Sequence, residues 1–131
     1  MEQLAQHLND MDTCGSYRLG CPIEALEAAV ELADFKLFTI DAQDIDGKAE
    51  LITAIAEAAE FYEDFPANWD ALQDALCDMS PHIAPGYVFL FKNASADLGL
   101  SEDDQAMIES IFADTVEFWQ HQHRAFWIFF A

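Results

Sequence analysis

The chain has 131 residues, 53% of them apolar, and sets 25 acidic side chains against five basic ones for a formal charge of −20. That length builds one hydrophobic core rather than two, and the apolar content excludes a disordered acidic tail. The basic complement is Arg18, Lys36, Lys48, Lys92 and Arg124; with no cluster of cations to neutralise phosphates, direct binding to nucleic acid is excluded.

In chain order, residues 2–11 predict a helical turn or two with Leu4, Leu8 and Met11 on one side. Gly15 and Gly20 bracket a short strand, Ser16-Tyr17-Arg18-Leu19. Pro22 suits the first turn of a helix, and Ile23, Leu26, Ala29, Val30 and Ala33 give that helix an apolar face. Residues 36–41, KLFTID, are rich in β formers and predict a strand. Residues 44–47 form a turn, with Asp46 as the expected cap of a helix whose apolar positions are Leu51, Ile52, Ile55, Ala58, Ala59 and Tyr62. A short helix follows Asn68 and stops before Pro81, which cannot continue it without losing a backbone hydrogen bond. Gly86 opens the run Tyr87-Val88-Phe89-Leu90-Phe91. Ser101 with Asp104 has capping-box spacing, and Glu102 and Asp103 favour the same helix start. Ile108, Ile111, Phe112, Thr115 and Trp119 then recur on one face, residues 121–124 turn, and the chain reaches the strand Phe126–Phe130.

Two of these strands are apolar on both faces and KLFTI nearly so, which is the pattern of a parallel sheet covered on both sides by helices. Leu37–Ile40, Tyr87–Phe91 and Phe126–Phe130 are therefore expected to run parallel, with the strand near Tyr17 pairing with the same sheet. An exposed FWIFF edge would aggregate, so that strand belongs inside the sheet or under cover.

The segment 61–80, FYEDFPANWDALQDALCDMS, carries the most information. At helical spacing Trp69, Leu72, Leu76 and Met79 share an apolar face, with Trp69 expected in the core, while Asp70, Asp74 and Asp78 stack at i, i+4 and i+8 on the other. No lysine or arginine is near in sequence to pair with them. Each like-charge pair costs the helix roughly 0.2–0.5 kcal/mol, so the stripe is either a solvated face or a surface built for a cationic partner.

The run Phe65, Asn68-Trp69-Asp70-Ala71-Leu72, Asp74 and Leu76 resembles the signature of the barstar family, intracellular inhibitors of secreted bacterial ribonucleases. The order of strands and helices from about Leu37 to Phe130 resembles the family too. Pro66 departs from it, standing where a glycine is usual; Gln73 stands where barstar has a tryptophan and Asp64 where it has a tyrosine. The resemblance implies an α/β fold, a barstar-like parallel sheet of three to four strands covered by helices. Residues 1–34 then add an N-terminal βα unit packed on the barstar-like region 35–131, within a single domain. It also implies a partner-binding surface made of Asp64, Phe65, Asn68, Asp70, Gln73, Asp74 and Asp114, with Asp74 the principal acidic contact and Glu60 and Glu63 enlarging the acidic rim. Asn68 has a structural role available as well, as N-cap of the helix.

Catalysis finds little support. There is no phosphate-binding glycine loop and no G-x-S-x-G serine, and His121 and His123 have no third ligand aligned for a metal. No cofactor is expected. Cys14, Cys21 and Cys77 are odd in number and form no C-x-x-C, as free thiols of a reducing compartment. The first ten residues lack the basic and apolar regions of a signal peptide, and no run of about 18 apolar residues occurs. The expectation is a cytoplasmic protein, monomeric when free, that inhibits a basic ribonuclease by occluding its active site. The alternative is a regulatory binding module, or a nucleic-acid mimic, of the same fold with another basic partner.

Overall fold

The computed structural model describes residues 6–43, 45–61, 64–79, 82, 84–94 and 98–131. Leu4, Asp44, Tyr62, Glu63 and Pro81, which carried expectations above, lie outside them, as does the side chain of Met11. Among the described residues the order is a short 3-10 helix (Met11–Thr13), β1 (Ser16–Arg18), α1 (Ile23–Ala33), β2 (Lys36–Asp41), α2 (Lys48–Ala58), α3 (Trp69–Leu76), β3 (Gly86–Lys92), α4 (Glu102–His121) and β4 (Ala125–Phe130). The described strands form one sheet in the order β1-β4-β3-β2, parallel throughout.

Alternation along each strand divides the core in two. Tyr87, Phe89, Phe91, Phe126 and Ile128 face one side, where α2, α3 and α4 pack on them through Ile52, Ile55, Leu72, Leu76, Phe112 and Trp119. Val88, Leu90, Trp127 and Phe129 face the other, under α1, whose Leu26, Ala29 and Val30 are buried there. Both central strands are therefore apolar along their buried length, up to Lys92 at the end of β3, as a sheet covered on both faces requires. Gly86 begins β3 because Phe35 leaves no room for more: a Cβ there would lie 2.7 Å from the Phe35 ring.

The connections β2-α2-α3-β3 and β3-α4-β4 step across the sheet in one direction. The connection β1-α1-β2 leaps from one edge to the other, and that reversal puts α1 on the second face, where the helical residues 6–8 join it through buried Leu8. Strand β1 covers the outer edge of β4, in register Ser16 with Ile128 and Arg18 with Phe130. The segment before it is latched by the buried Trp127, whose Nε1 donates to the Leu8 carbonyl at 2.9 Å. The aromatic strand is thus interior to the sheet, as its aggregation hazard demands.

Three local expectations are corrected. Gly47, not Asp46, caps α2. Its φ of 109° suits a glycine, and the Glu50 carboxylate reaches back to accept from the Asp46 N–H at 2.8 Å. Helix α2 ends at Ala58 instead of running on towards Tyr62, because Glu60 adopts a left-handed φ of 57°. Helix α3 ends at Leu76 with Cys77 as C-cap, so Asp78 lies in the following turn and the helical stripe of aspartates is two residues long.

Candidate protein-binding site on a short acidic helix

Helix α3 has only eight residues, too few to be stable alone in water, so its position is set by caps and packing. The Asn68 side-chain oxygen accepts from the Ala71 N–H at 2.7 Å, satisfying one of the donors a helix start leaves open. Leu72 and Leu76 are fully buried. At the far end the Leu76 carbonyl accepts from Trp119 Nε1 of α4 at 2.9 Å. With one face pinned, Asp70 and Asp74 are left exposed on the other. Asp70, in the first turn, complements the helix dipole. Asp74, mid-helix, gains nothing comparable from the fold.

Trp69 departs from its expected core position. As the first residue of α3 it reaches only the margin of the core, where it is half-buried. Its ring is covered by Lys48 of α2, with Nζ 5.4 Å from the ring centroid. A cation–π contact of this kind is worth about 0.5–1 kcal/mol at an exposed site. One of the five basic residues therefore stands beside the start of the acidic helix, brought there by tertiary contact.

Helix α4 extends the same surface. Exposed Asp114 accepts a long hydrogen bond, 3.4 Å, from Gln73 Nε2, which ties α4 to the middle of α3. Cys77 lies between the two groups of acids. Burial, first of all, pushes its thiol pKa above the ordinary 9.0, a hydrogen bond to Thr115 opposes the shift, and the charges of Asp74 and Asp114 add to it. Asp64 and Phe65 sit apart from this cluster, in the loop before α3. Phe65 packs its ring against Phe61 at 5.3 Å, and both loop residues line a shallow depression with Ala56 and Glu57 of α2 and Glu60 just beyond it. Asp64 is held at φ 55°, in the left-handed region that asparagine and aspartate tolerate better than most residues.

A family model described as Barstar (barnase inhibitor) matches residues 35–131. The chain belongs to the barstar family. The matched part opens one residue before β2 and takes in everything to the end of β4, so β1 and α1 stand outside it. Members of the barstar family are inhibitors, not enzymes. No curated protein matches the chain.

All seven candidate residues lie in the barstar part of the chain. Asn68, Asp70, Gln73 and Asp74 share one short helix and its cap, Asp114 joins them through Gln73, and Asp64 and Phe65 flank the entry to the helix. Lys48 and Cys77 were not foreseen. Cys77 stands one helical turn beyond Gln73, so its place beside the acids was implicit in helical spacing. Lys48 sits on a separate helix and left no local signal. Among the described residues no group of His, Cys, Asp and Glu side chains is arranged to hold a metal, and no helix is long and apolar enough to cross a membrane.

Proposed function

We propose that this chain is an inhibitor that binds a basic ribonuclease and occludes its active site with the exposed face of α3. The observation that carries the reading is Asp74: a barstar-family helix is pinned by Leu72, Leu76 and Trp119 so that this aspartate, with Asp70 and Asp114 nearby, faces solvent. An enzyme that cleaves RNA must hold phosphates, so its cleft is cationic, and a rigid row of carboxylates can stand where phosphates would bind. Inhibition then needs no chemistry from this chain. Its charge speeds encounter, and desolvated carboxylate–cation pairs slow release. Asn68 orients the helix from its cap, and Asp64, Phe65 and Gln73 form the border of the contact. Barnase titrated with the purified chain, with RNA hydrolysis as the readout, tests this. The expected result is a stoichiometric fall in hydrolysis that Asp74→Ala largely abolishes; undiminished hydrolysis at excess inhibitor would remove barnase-type enzymes as targets.

One observation favours the second reading, a regulatory module or nucleic-acid mimic for another basic protein. Gln73 replaces an aromatic of barstar and engages Asp114, which changes both the shape and the free hydrogen-bonding capacity of the surface. A basic protein captured through Asp74 but lacking ribonuclease activity would select that alternative.

A further inference from the structure

A second concavity lies on the other flank of α4 from α3. It encloses about 310 Å³, at the lower end of the range of small-molecule pockets. Its origin is geometric. A helix is about 10 Å across and strands are about 4.8 Å apart, so one helix covers about two strands. Helix α4 covers β3 and β4 and leaves the strip over β1 open.

The row across the sheet at that point is set by register: Phe91 of β3 beside Phe130 of β4, and Phe130 beside Arg18 of β1. Phe91 is fully buried and stacks on Phe130 at 5.2 Å; Phe130 is only half-buried, and Arg18 is exposed. Ile108 and Phe112 of α4 form the apolar wall, and Gln105 and Glu109 stand on the rim. The site is at the carboxyl ends of parallel strands, beside the edge where the winding of the sheet reverses, which is where open α/β sheets place ligands.

We propose that this pocket binds a small, flat aromatic monocarboxylate, its ring against Phe130 and its carboxylate paired with Arg18. The open part of Phe130 continues an existing aromatic stack, and the ring of a ligand extends it by one member. The planar guanidinium of Arg18 matches a carboxylate through two parallel hydrogen bonds, and Arg18 has no ion-pair partner among the described residues. Gln105 supplies a further donor at the rim. Glu109 on the same rim disfavours any negative charge that is not placed directly on Arg18, so a single carboxylate is the most the site accepts. The pocket uses no residue of α3 and stands independently of the inhibitor reading.

The test is titration of the full chain with 2-naphthoate and, separately, with the uncharged 2-naphthamide, by calorimetry and by amide chemical-shift mapping. The wild type should bind naphthoate about tenfold more tightly than the amide, the scale of one charge-assisted hydrogen-bonded pair. Arg18→Gln should bind both at the level of the amide. Ile108→Trp, which fills the cavity, should bind neither; if it fails to fold, Arg18→Gln decides alone. Absence of saturable naphthoate binding by the wild type would overturn the proposal. So would equal affinity for the amide, or a preference that survives Arg18→Gln.

Discussion

Asp74 is the residue at which folding and binding separate. It is exposed, one turn from Asp70 with the same charge, and makes no contact on which the core depends. Asp74→Ala should leave stability unchanged or slightly higher, within about 0.5 kcal/mol, because it removes a like-charge pair. If α3 is the binding face, the same change weakens the partner complex far more than Asp78→Ala and speeds its dissociation, as surface plasmon resonance can measure. Equal, small losses would reduce the aspartates to a solvated face. Cys77 reports the same charges from within. In a background with Cys14 and Cys21 replaced by serine, Asp74→Asn should lower the Cys77 thiol pKa and quicken alkylation by iodoacetamide at mildly alkaline pH. The change is modest, since burial and not charge is the first cause of the shift. Cys14 is raised as well, again chiefly by burial. Because both thiols hold their protons more firmly in the folded state, their contribution to stability is complete below the ordinary value of 9.0 and declines as pH rises through the folded values. Asp41 works in the opposite sense at the acidic end. The Gln43 N–H and the Asn93 amide lower its pKa, so its contribution is present at neutral pH and is lost as pH falls through its folded value.

At the scale of elements, α3 shows how little intrinsic helix stability a binding element needs when its neighbours hold it. Asn68→Ala removes the cap and should cost about 1 kcal/mol. Trp119→Phe keeps an aromatic ring but leaves the Leu76 carbonyl without its donor, at a cost of about 1–3 kcal/mol. Leu72→Ala opens a cavity beneath the helix and should cost about 2–5 kcal/mol. Urea denaturation measures all three. Equal small effects would mean that α3 rests on the core without being fixed by it. The ends of this element were the part least readable from spacing. Apolar periodicity continues through Met79, which is indeed buried, yet the backbone leaves the helix at Cys77 and Met79 takes a left-handed φ of 48°. Periodicity records which side chains are inside; it does not record which backbone conformation brought them there.

Over the whole molecule, a charge of −20 acts twice. It repels itself in the compact state, so the melting temperature should rise by several degrees between low salt and about 0.5 M NaCl, as screening shortens. It also attracts a cationic partner at long range, so the association rate with a basic ribonuclease should fall over the same salt range while dissociation changes less. A rate indifferent to salt would remove steering from the account. The sheet adds a further whole-molecule feature: β1 and the Leu8–Trp127 latch protect the outer edge of β4, and both β1 and Leu8 belong to the part of the chain outside the family match.

Much of this architecture is written locally. Val88, Phe89 and Leu90, or Trp127, Ile128 and Phe129, are apolar in succession, and a strand that is apolar on both faces has to be covered twice. The amphipathic helices between the strands supply that cover, so a parallel α/β sheet follows from the order of patterns. Asn68, Asp70 and Asp74 could likewise be placed together because one helix carries them all. Strand order, the hydrogen bond from Gln73 to Asp114, Lys48 over Trp69, and the pocket between Arg18 and Ile108 had no such local source. They arise where segments distant along the chain compete to bury apolar area, and that non-directional force is satisfied only by the packing of the complete chain.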